Sequence, residues 1–171
     1  KRGLPNVRNT VDAIASLTAR KNIDVMSKHN VLSKVEMESR AEIQYEIYVK
    51  TVNIEGLTMV EMAKRQILPA VISFKANLAA SVSTVLGAGG NADVEKALLK
   101  KVSDALPAFN TKLVKLEKAI ATAAGKHGNA KVQAAASRDL VFTGMAELRK
   151  EADLLETLVD SEYWPIPTYS E

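Results

Sequence analysis

Apolar residues recur every three or four positions over most of this chain, a spacing that gives a helix one apolar face. Glycine and proline are sparse between residues 33 and 163 and alanine is abundant, which also favours helix. Near the C-terminal end the spacing is 4, 3, 4, 3, 4, which predicts a helix from about Ala130 to Ser161. The residues of this seam are Val141, Met145, Leu148, Ala152, Leu155 and Val159.

Two further helical stretches precede this one. Residues 92–124 keep the spacing through Pro107, which predicts one helix with a kink at the proline. Residues 33–86 carry apolar residues on two faces, so we expect burial on two sides. Gly56 and Pro69 mark possible breaks there, and the sequence leaves open whether this stretch is one kinked helix or two. The two faces are Met37, Ala41, Tyr45, Tyr48 and Val52 on one side, and Ile43, Ile47 and Ile54 on the other.

The sequence therefore predicts an all-α fold, a bundle of three to four long antiparallel helices. An N-terminal arm, 1–32, holds a short helix over 11–19 that Thr10 caps. The bundle spans 33–162, with turns at 87–91 and 125–129 that each end in an asparagine suited to capping the next helix. A Pro-rich tail, 163–171, is extended because alternating prolines forbid helix.

Composition excludes several classes of protein. With 47% hydrophobic and 25% charged residues, the chain is typical of one soluble domain, and the absence of cysteine excludes disulfide and thiolate chemistry. The sequence contains no run of about 18 apolar residues, so it predicts no membrane span. Residues 1–35 carry seven basic and two acidic side chains, and residues 147–171 carry two basic and seven acidic ones. Along the predicted helices Lys and Arg are interleaved with Asp and Glu rather than gathered in a basic stripe, which does not favour nucleic-acid binding. The first residues have no initiator Met and no signal-peptide pattern, so we expect part of a longer, cytoplasmic protein.

Few residues suggest chemistry. His29 and His127 lie far apart in polar turns, which does not favour a metal site. Glu38, Glu42 and Glu46 share one helical face, as a carboxylate metal cluster or an acid–base pair would, but a salt-bridged face is the preferred interpretation. Cations for it are available from the basic arm. The glycine-rich turn at 87–91 follows a predicted helix rather than a strand, so it does not predict phosphate binding.

Trp164 and Tyr169 are the candidate docking residues. They flank two prolines in the predicted tail, where exposed aromatic side chains favour binding to a protein surface. From the residues alone, no catalytic, cofactor-binding or metal-ligating residue is predicted.

Four segments taken together resemble type III glutamine synthetases. They appear in the order found at the C-terminal end of that family, and the resemblance covers nearly the whole chain. The segments are Lys1–Asn6 with Thr10, Glu36–Ile43, Met62–Val71 and Trp164–Tyr169.

The resemblance implies a role within a larger enzyme. The family makes glutamine from glutamate, ammonia and ATP with Mg or Mn, and its catalytic domains precede the part that this chain resembles. The chain is then a non-catalytic helical domain whose partners are that upstream catalytic domain and neighbouring subunits of a homo-oligomer, with no nucleic acid and no membrane. The alternative is a free-standing helical adaptor that binds a partner protein.

Overall fold

The computed structural model describes residues 6–126 and 128–167. Within these residues every regular element is helical, which confirms the predicted all-α class. Two short π-helical segments, Ala63–Ile67 and Ser137–Phe142, join α-helices end to end. The α-helices are α1 (Thr10–Leu17), α2 (Arg20–Lys28), α3 (Lys34–Met62), α4 (Leu68–Gly87), α5 (Asp93–Ala124), α6 (Ala130–Ala136) and α7 (Thr143–Glu156).

The stretch that the sequence left open is one continuous helical run from Lys34 to Gly87. The π segment of this run, Ala63–Ile67, ends two residues before Pro69. A proline has no N–H to donate and its ring crowds the carbonyl four residues earlier, so a locally widened turn lets the helix continue past it. Pro107 likewise lies inside an unbroken α5, which confirms one helix over this stretch, while the kink at Pro107 stays a prediction.

Helix starts follow side-chain capping. The predicted cap, Thr10, is wrong: Asn9 occupies that position, and its Oδ1 accepts a hydrogen bond from the Asp12 N–H at 2.9 Å. Thr10 is instead the first residue of α1. Asn129 caps α6 as predicted, accepting from the Val132 N–H at 3.0 Å.

The last helix ends at Glu156, five residues before the predicted Ser161. The Leu158 and Val159 N–H groups both donate to the Leu155 carbonyl, so the chain turns there. Val159 remains buried, which explains why the apolar spacing continues beyond the helix. Between 164 and 167 the chain is non-helical, as the prolines predict, with a bend at Ile166 rather than a fully extended strand.

The chain forms two compact units, each made of two separate stretches. The first unit combines Lys1–Glu55 with Ile120–Phe142, and its core joins α1, α3 and α6. The predicted division into 1–32, 33–162 and 163–171 is a different kind of partition and stays a prediction. The core cluster of the first unit is Val11, Ile14, Ala41, Tyr45, Ala130 and Ala134, with Tyr48 and Val49 packed against it.

The second unit combines Gly56–Ala119 with Thr143–Glu171. Within it α5 runs antiparallel to α7. Gly144 packs on Leu116, and Glu147, further along α7, pairs with Lys112, which lies earlier in α5. Within this unit the apolar spacing of α5 is buried from Val102 to Leu116, and that of α7 is buried from Met145 to Leu155 apart from half-buried Ala152. The largest fully buried side chains of this unit are Val71, Val102, Phe109, Leu113, Leu116, Leu148 and Leu155.

One expectation about burial is wrong. Ile43, Ile47 and Ile54 were predicted to lie on a second buried face, but they are 53%, 51% and 64% exposed. The opposite face of α3, with Met37, is buried as predicted. The second apolar face of α3 is therefore open to solvent in this chain.

By length and composition alone, the helical run from Lys34 to Gly87 passes the test for a membrane span, with an 18-residue window of mean hydropathy 1.3. This differs from the expectation drawn from uninterrupted apolar runs, since the window includes polar residues. Of this window 11% is buried within the chain, and one helix of this length and composition does not establish a membrane span.

Candidate docking site

The structure describes only one of the two predicted docking residues. Trp164 is half-buried, and its backbone N–H donates to the Asp160 carbonyl at 3.0 Å. Tyr169 lies outside the described residues. Docking through these two residues stays a prediction.

Tyr163, immediately before Trp164, attaches the C-terminal segment to α4. Its ring lies 5.6 Å from the Phe74 ring, centroid to centroid, at an interplanar angle of 60°. Its hydroxyl oxygen accepts a hydrogen bond from the Asn77 Nδ2 at 3.0 Å. Tilted aromatic pairs at this distance are favourable, and Phe74 is buried.

A short turn delivers Tyr163 to this position. The Glu162 N–H donates to the Asp160 Oδ1 at 2.9 Å, and the Tyr163 N–H donates to the Asp160 carbonyl at 2.9 Å. An aspartate that bonds the backbone two residues ahead is a common turn device. Asp160 thus fixes the chain direction just before the aromatic residues.

Sequence reasoning did not single out Tyr163. Its place directly after a turn-forming aspartate and before Trp164 was the available signal. The partner on α4 was not predictable, because Phe74 and Asn77 lie more than 80 positions away in the sequence.

A second polar cluster lies in the first unit, around Arg138 in the Ser137–Phe142 π segment. Its Nε donates to the Asp139 Oδ1 at 2.7 Å, and its Nη1 donates to the Asp12 Oδ1 at 3.0 Å. Arg138 therefore ties the π segment to the first turn of α1. Hydrogen bonding to Arg138 holds the pKa of Asp139 below its ordinary value.

Two tyrosines border the α1 side of this unit. The Tyr45 hydroxyl donates to the Val11 carbonyl at 3.5 Å, and burial is the main reason that its pKa is raised. Burial also raises the pKa of Tyr48, against a smaller opposing influence of Arg138. Raised pKa values keep both hydroxyls protonated at neutral pH, so neither is suited to act as a base.

The carboxylate row on α3 is paired with lysines at both ends. Lys34 lies 3.6 Å from Glu38, and Lys50 lies 3.3 Å from Glu46, so the salt-bridged interpretation is confirmed there. Among residues 6–126 and 128–167, no group of three His, Asp or Glu side chains is placed to hold a metal ion. His29 is exposed at the end of α2, and His127 lies outside the described residues.

Glu36 belongs to a different arrangement. Its carboxylate accepts hydrogen bonds from both the N–H and the hydroxyl of Ser33 at 2.7 Å, while its own N–H donates back to the Ser33 hydroxyl at 3.3 Å. This reciprocal capping box starts α3 and lowers the pKa of Glu36, chiefly through the bond from the Ser33 N–H. Arg40, one turn further along α3, makes a smaller electrostatic contribution in the same direction.

These features define a helical domain whose specific polar contacts cap helices and join elements. The sequence model described as the glutamine synthetase C-terminal domain matches residues 1–85. The chain is 32% identical over 179 residues to a type-3 glutamine synthetase of Dictyostelium discoideum, covering 99% of this chain and 24% of the relative. It is 31% identical over 173 residues to a glutamine synthetase of Butyrivibrio fibrisolvens, covering 100% of this chain and 25% of the relative.

A glutamine synthetase of Bacteroides fragilis is 25% identical over 177 residues, again across 100% of this chain and 24% of its own length. The chain thus spans about a quarter of the length of the curated relatives that it matches. It belongs to the glutamine synthetase family, within the family's C-terminal domain. The resemblance found in the sequence is confirmed.

Proposed function

We propose that this chain is a non-catalytic domain of an ATP-dependent glutamate–ammonia ligase and that it braces the enzyme's homo-oligomer. On this proposal the larger, preceding portion of a cytoplasmic enzyme holds ATP and Mg or Mn and carries out the chemistry. The chain's own task is structural: it supplies helical surfaces for the catalytic portion and neighbouring subunits.

The observation that carries this proposal is how the polar side chains are used. In the described part of the chain, the buried polar groups of side chains are the Ser137 hydroxyl and the Tyr45 hydroxyl, and the cross-helix ion pairs involving Glu117 and Glu147 are at least partly exposed. Catalytic groups are typically gathered in a shielded pocket with perturbed pKa values. The polar groups described above instead cap helices and link neighbouring helices, as in a scaffold.

The same family matches favour this proposal over a free-standing adaptor. The similarity to glutamine synthetases extends across 99–100% of the chain rather than over one helix pair. An adaptor that shared only the helical spacing would not be expected to match one family from end to end.

The test uses the full-length protein with Leu116→Ala, which removes a fully buried side chain from the second unit. A cavity of this kind costs about 2–5 kcal/mol of folding free energy. We expect a lower melting temperature and a smaller assembled fraction in sedimentation, with unchanged turnover per assembled oligomer. Val114→Ala, on the same helix but 40% exposed, is the matched control. A tenfold lower turnover in fully assembled enzyme would overturn the proposal.

A further inference from the structure

A concave groove lies on the first unit between α1 and the start of α3. The groove is open to solvent and has a volume of about 980 Å³, and Ile14, which is only 5% exposed, contributes to its lining. Its remaining apolar lining includes Leu17, Val35 and Ile43, which are 41%, 74% and 53% exposed. Apolar side chains thus line a cleft on the surface of the unit.

Exposed apolar side chains also lie beyond the groove. Ile47 and Ile54 follow Ile43 along the same side of α3, at helical spacing, and both are more than half exposed. Lys50 and Thr51 lie between Ile47 and Ile54 on this side of the helix, so these isoleucines are separate apolar contacts rather than one unbroken patch. Exposed apolar side chains in and beside a cleft are typical of a binding site.

The charge in the groove selects among possible occupants. Arg40 and Glu36 both line it, but the Glu36 carboxylate is held by Ser33 in the capping box. The positive charge of Arg40 helps to lower the pKa of Glu36, but among the described residues its guanidinium forms no ion pair within 4.0 Å. The groove consequently offers apolar walls and, beside the Glu36 carboxylate, a guanidinium with hydrogen-bond donors that can pair with an acidic residue of an amphipathic segment.

The family comparisons indicate where such a segment can come from. This chain corresponds to a C-terminal domain and to about a quarter of its relatives' length, so most of a relative's polypeptide precedes it. Thr10, which lines the groove, lies close to that junction. A segment tethered so near would have a high effective concentration at the groove.

We propose that the groove binds an amphipathic segment from the preceding portion of the same polypeptide, with an acidic side chain of that segment paired to Arg40. The proposal rests on the proposed function, since it assigns the surface through which the helical domain meets the catalytic portion. Docking there would cover the apolar lining that this chain alone leaves in water.

The experiment places a photo-crosslinking benzoylphenylalanine at Ile43 of the full-length protein and identifies the captured peptide by mass spectrometry. The control carries the same probe at Val132, which is 50% exposed on α6 of the same unit and outside the groove. We expect an intramolecular cross-link from position 43 to a peptide preceding Lys1, in several-fold higher yield than from position 132. Oligomers assembled from isotopically light and heavy subunits distinguish links within one polypeptide from links between two.

A charge test accompanies the cross-link. Arg40→Glu should lower the yield from position 43 by about fivefold or more, whereas Arg40→Lys should retain most of it, because a charge-assisted hydrogen bond is lost only in the first variant. Capture of residues 1–171 of another copy, a link between subunits, or equal yields from positions 43 and 132 would overturn the proposal. The proposed function is tested separately by assembly and turnover, so the two can fail independently.

Discussion

The Asn77 side chain donates a hydrogen bond to the Tyr163 hydroxyl at 3.0 Å, joining α4 to the segment that follows α7. The two residues are 86 positions apart in the chain. Together with the Phe74 ring, this bond holds the segment around Tyr163 against α4 within the second unit.

Replacing Tyr163 should separate the two parts of this contact. Tyr163→Phe keeps the ring and removes one exposed hydrogen bond, so we expect a loss of about 0.5 kcal/mol. Tyr163→Ala also removes the aromatic pair and the covered apolar area, so the loss should reach about 1–3 kcal/mol. Urea unfolding of both variants measures the difference, with Asn77→Ala as the partner in a double-mutant cycle. Equal losses for Phe and Ala would contradict the aromatic contribution.

Trp164, the only tryptophan, reports on the tail directly. Because it is half-buried, its fluorescence emission should lie at shorter wavelength than that of free tryptophan and shift to longer wavelength on unfolding. Trp164→Ala should lower the melting temperature and weaken assembly of the full-length protein more than it lowers turnover. A water-like emission maximum with unchanged melting and assembly would show that the tail is not docked.

Gly144 should resist substitution although it lies in a helix. Alanine normally stabilises a helix by about 1 kcal/mol relative to glycine. At Gly144, however, an added Cβ would lie 3.2 Å from the Cδ1 of fully buried Leu116. We therefore expect Gly144→Ala to lower the free energy of unfolding by about 1 kcal/mol. Gly87→Ala, where nothing lies within 4 Å, is the control and should be neutral or stabilising in the same thermal melts.

The capping box at Ser33 and Glu36 predicts a pH dependence. The pKa of Glu36 is lower in the folded chain, so the folded state binds its proton less readily than the unfolded state does. Its stabilising contribution is complete above the unfolded-state pKa, about 4.3, and disappears as pH falls through the folded value. The melting-temperature difference between wild type and Glu36→Gln should thus be largest near neutral pH and shrink in acid. Glu38→Gln removes a nearby carboxylate without touching the box, and an identical pH profile for it would contradict the assignment.

Arg138 should control the local stability of α1. Arg138→Lys keeps the charge but loses the fork that reaches Asp12 and Asp139 together, so amide exchange in Thr10–Leu17 should rise several-fold. Lys100→Gln removes an ion pair to Asp104 on the surface of α5 and should leave that exchange unchanged. Unaltered exchange in the Arg138→Lys variant would mean that α1 is held by its apolar contacts alone.

Helix faces were predictable because burial imposes the helical period on the sequence. Val102, Phe109 and Leu113 are buried where their spacing placed them. The end of α7 was not predictable, because Val159 continues the same spacing from within a turn. The exposed Ile43 face was misjudged for a related reason, since periodicity records that a face is apolar and not whether its partner lies in the same chain.

The polar contacts were harder to predict than the helices. A salt-bridged face followed from the i, i+4 spacing of Glu38, Glu42 and Glu46, which is a local property. The contacts of Tyr163 with Phe74, and of Arg138 with Asp12, join positions far apart in sequence, and no local rule identifies such partners. The π segment before Pro69 had a local cause, but the proline indicated only a possible break.

Each of the two units is built from two separate stretches of the chain, and this has a consequence for synthesis on the ribosome. The core around Val11 and Tyr45 remains incomplete until Ala134 has been made, which at about 5–20 residues per second is a delay of roughly 4–20 s after Tyr45. The second unit waits longer still, for Tyr163. A nascent chain stopped after α4 would have neither core complete, so premature termination should yield a substrate for chaperones and proteases rather than a smaller folded domain.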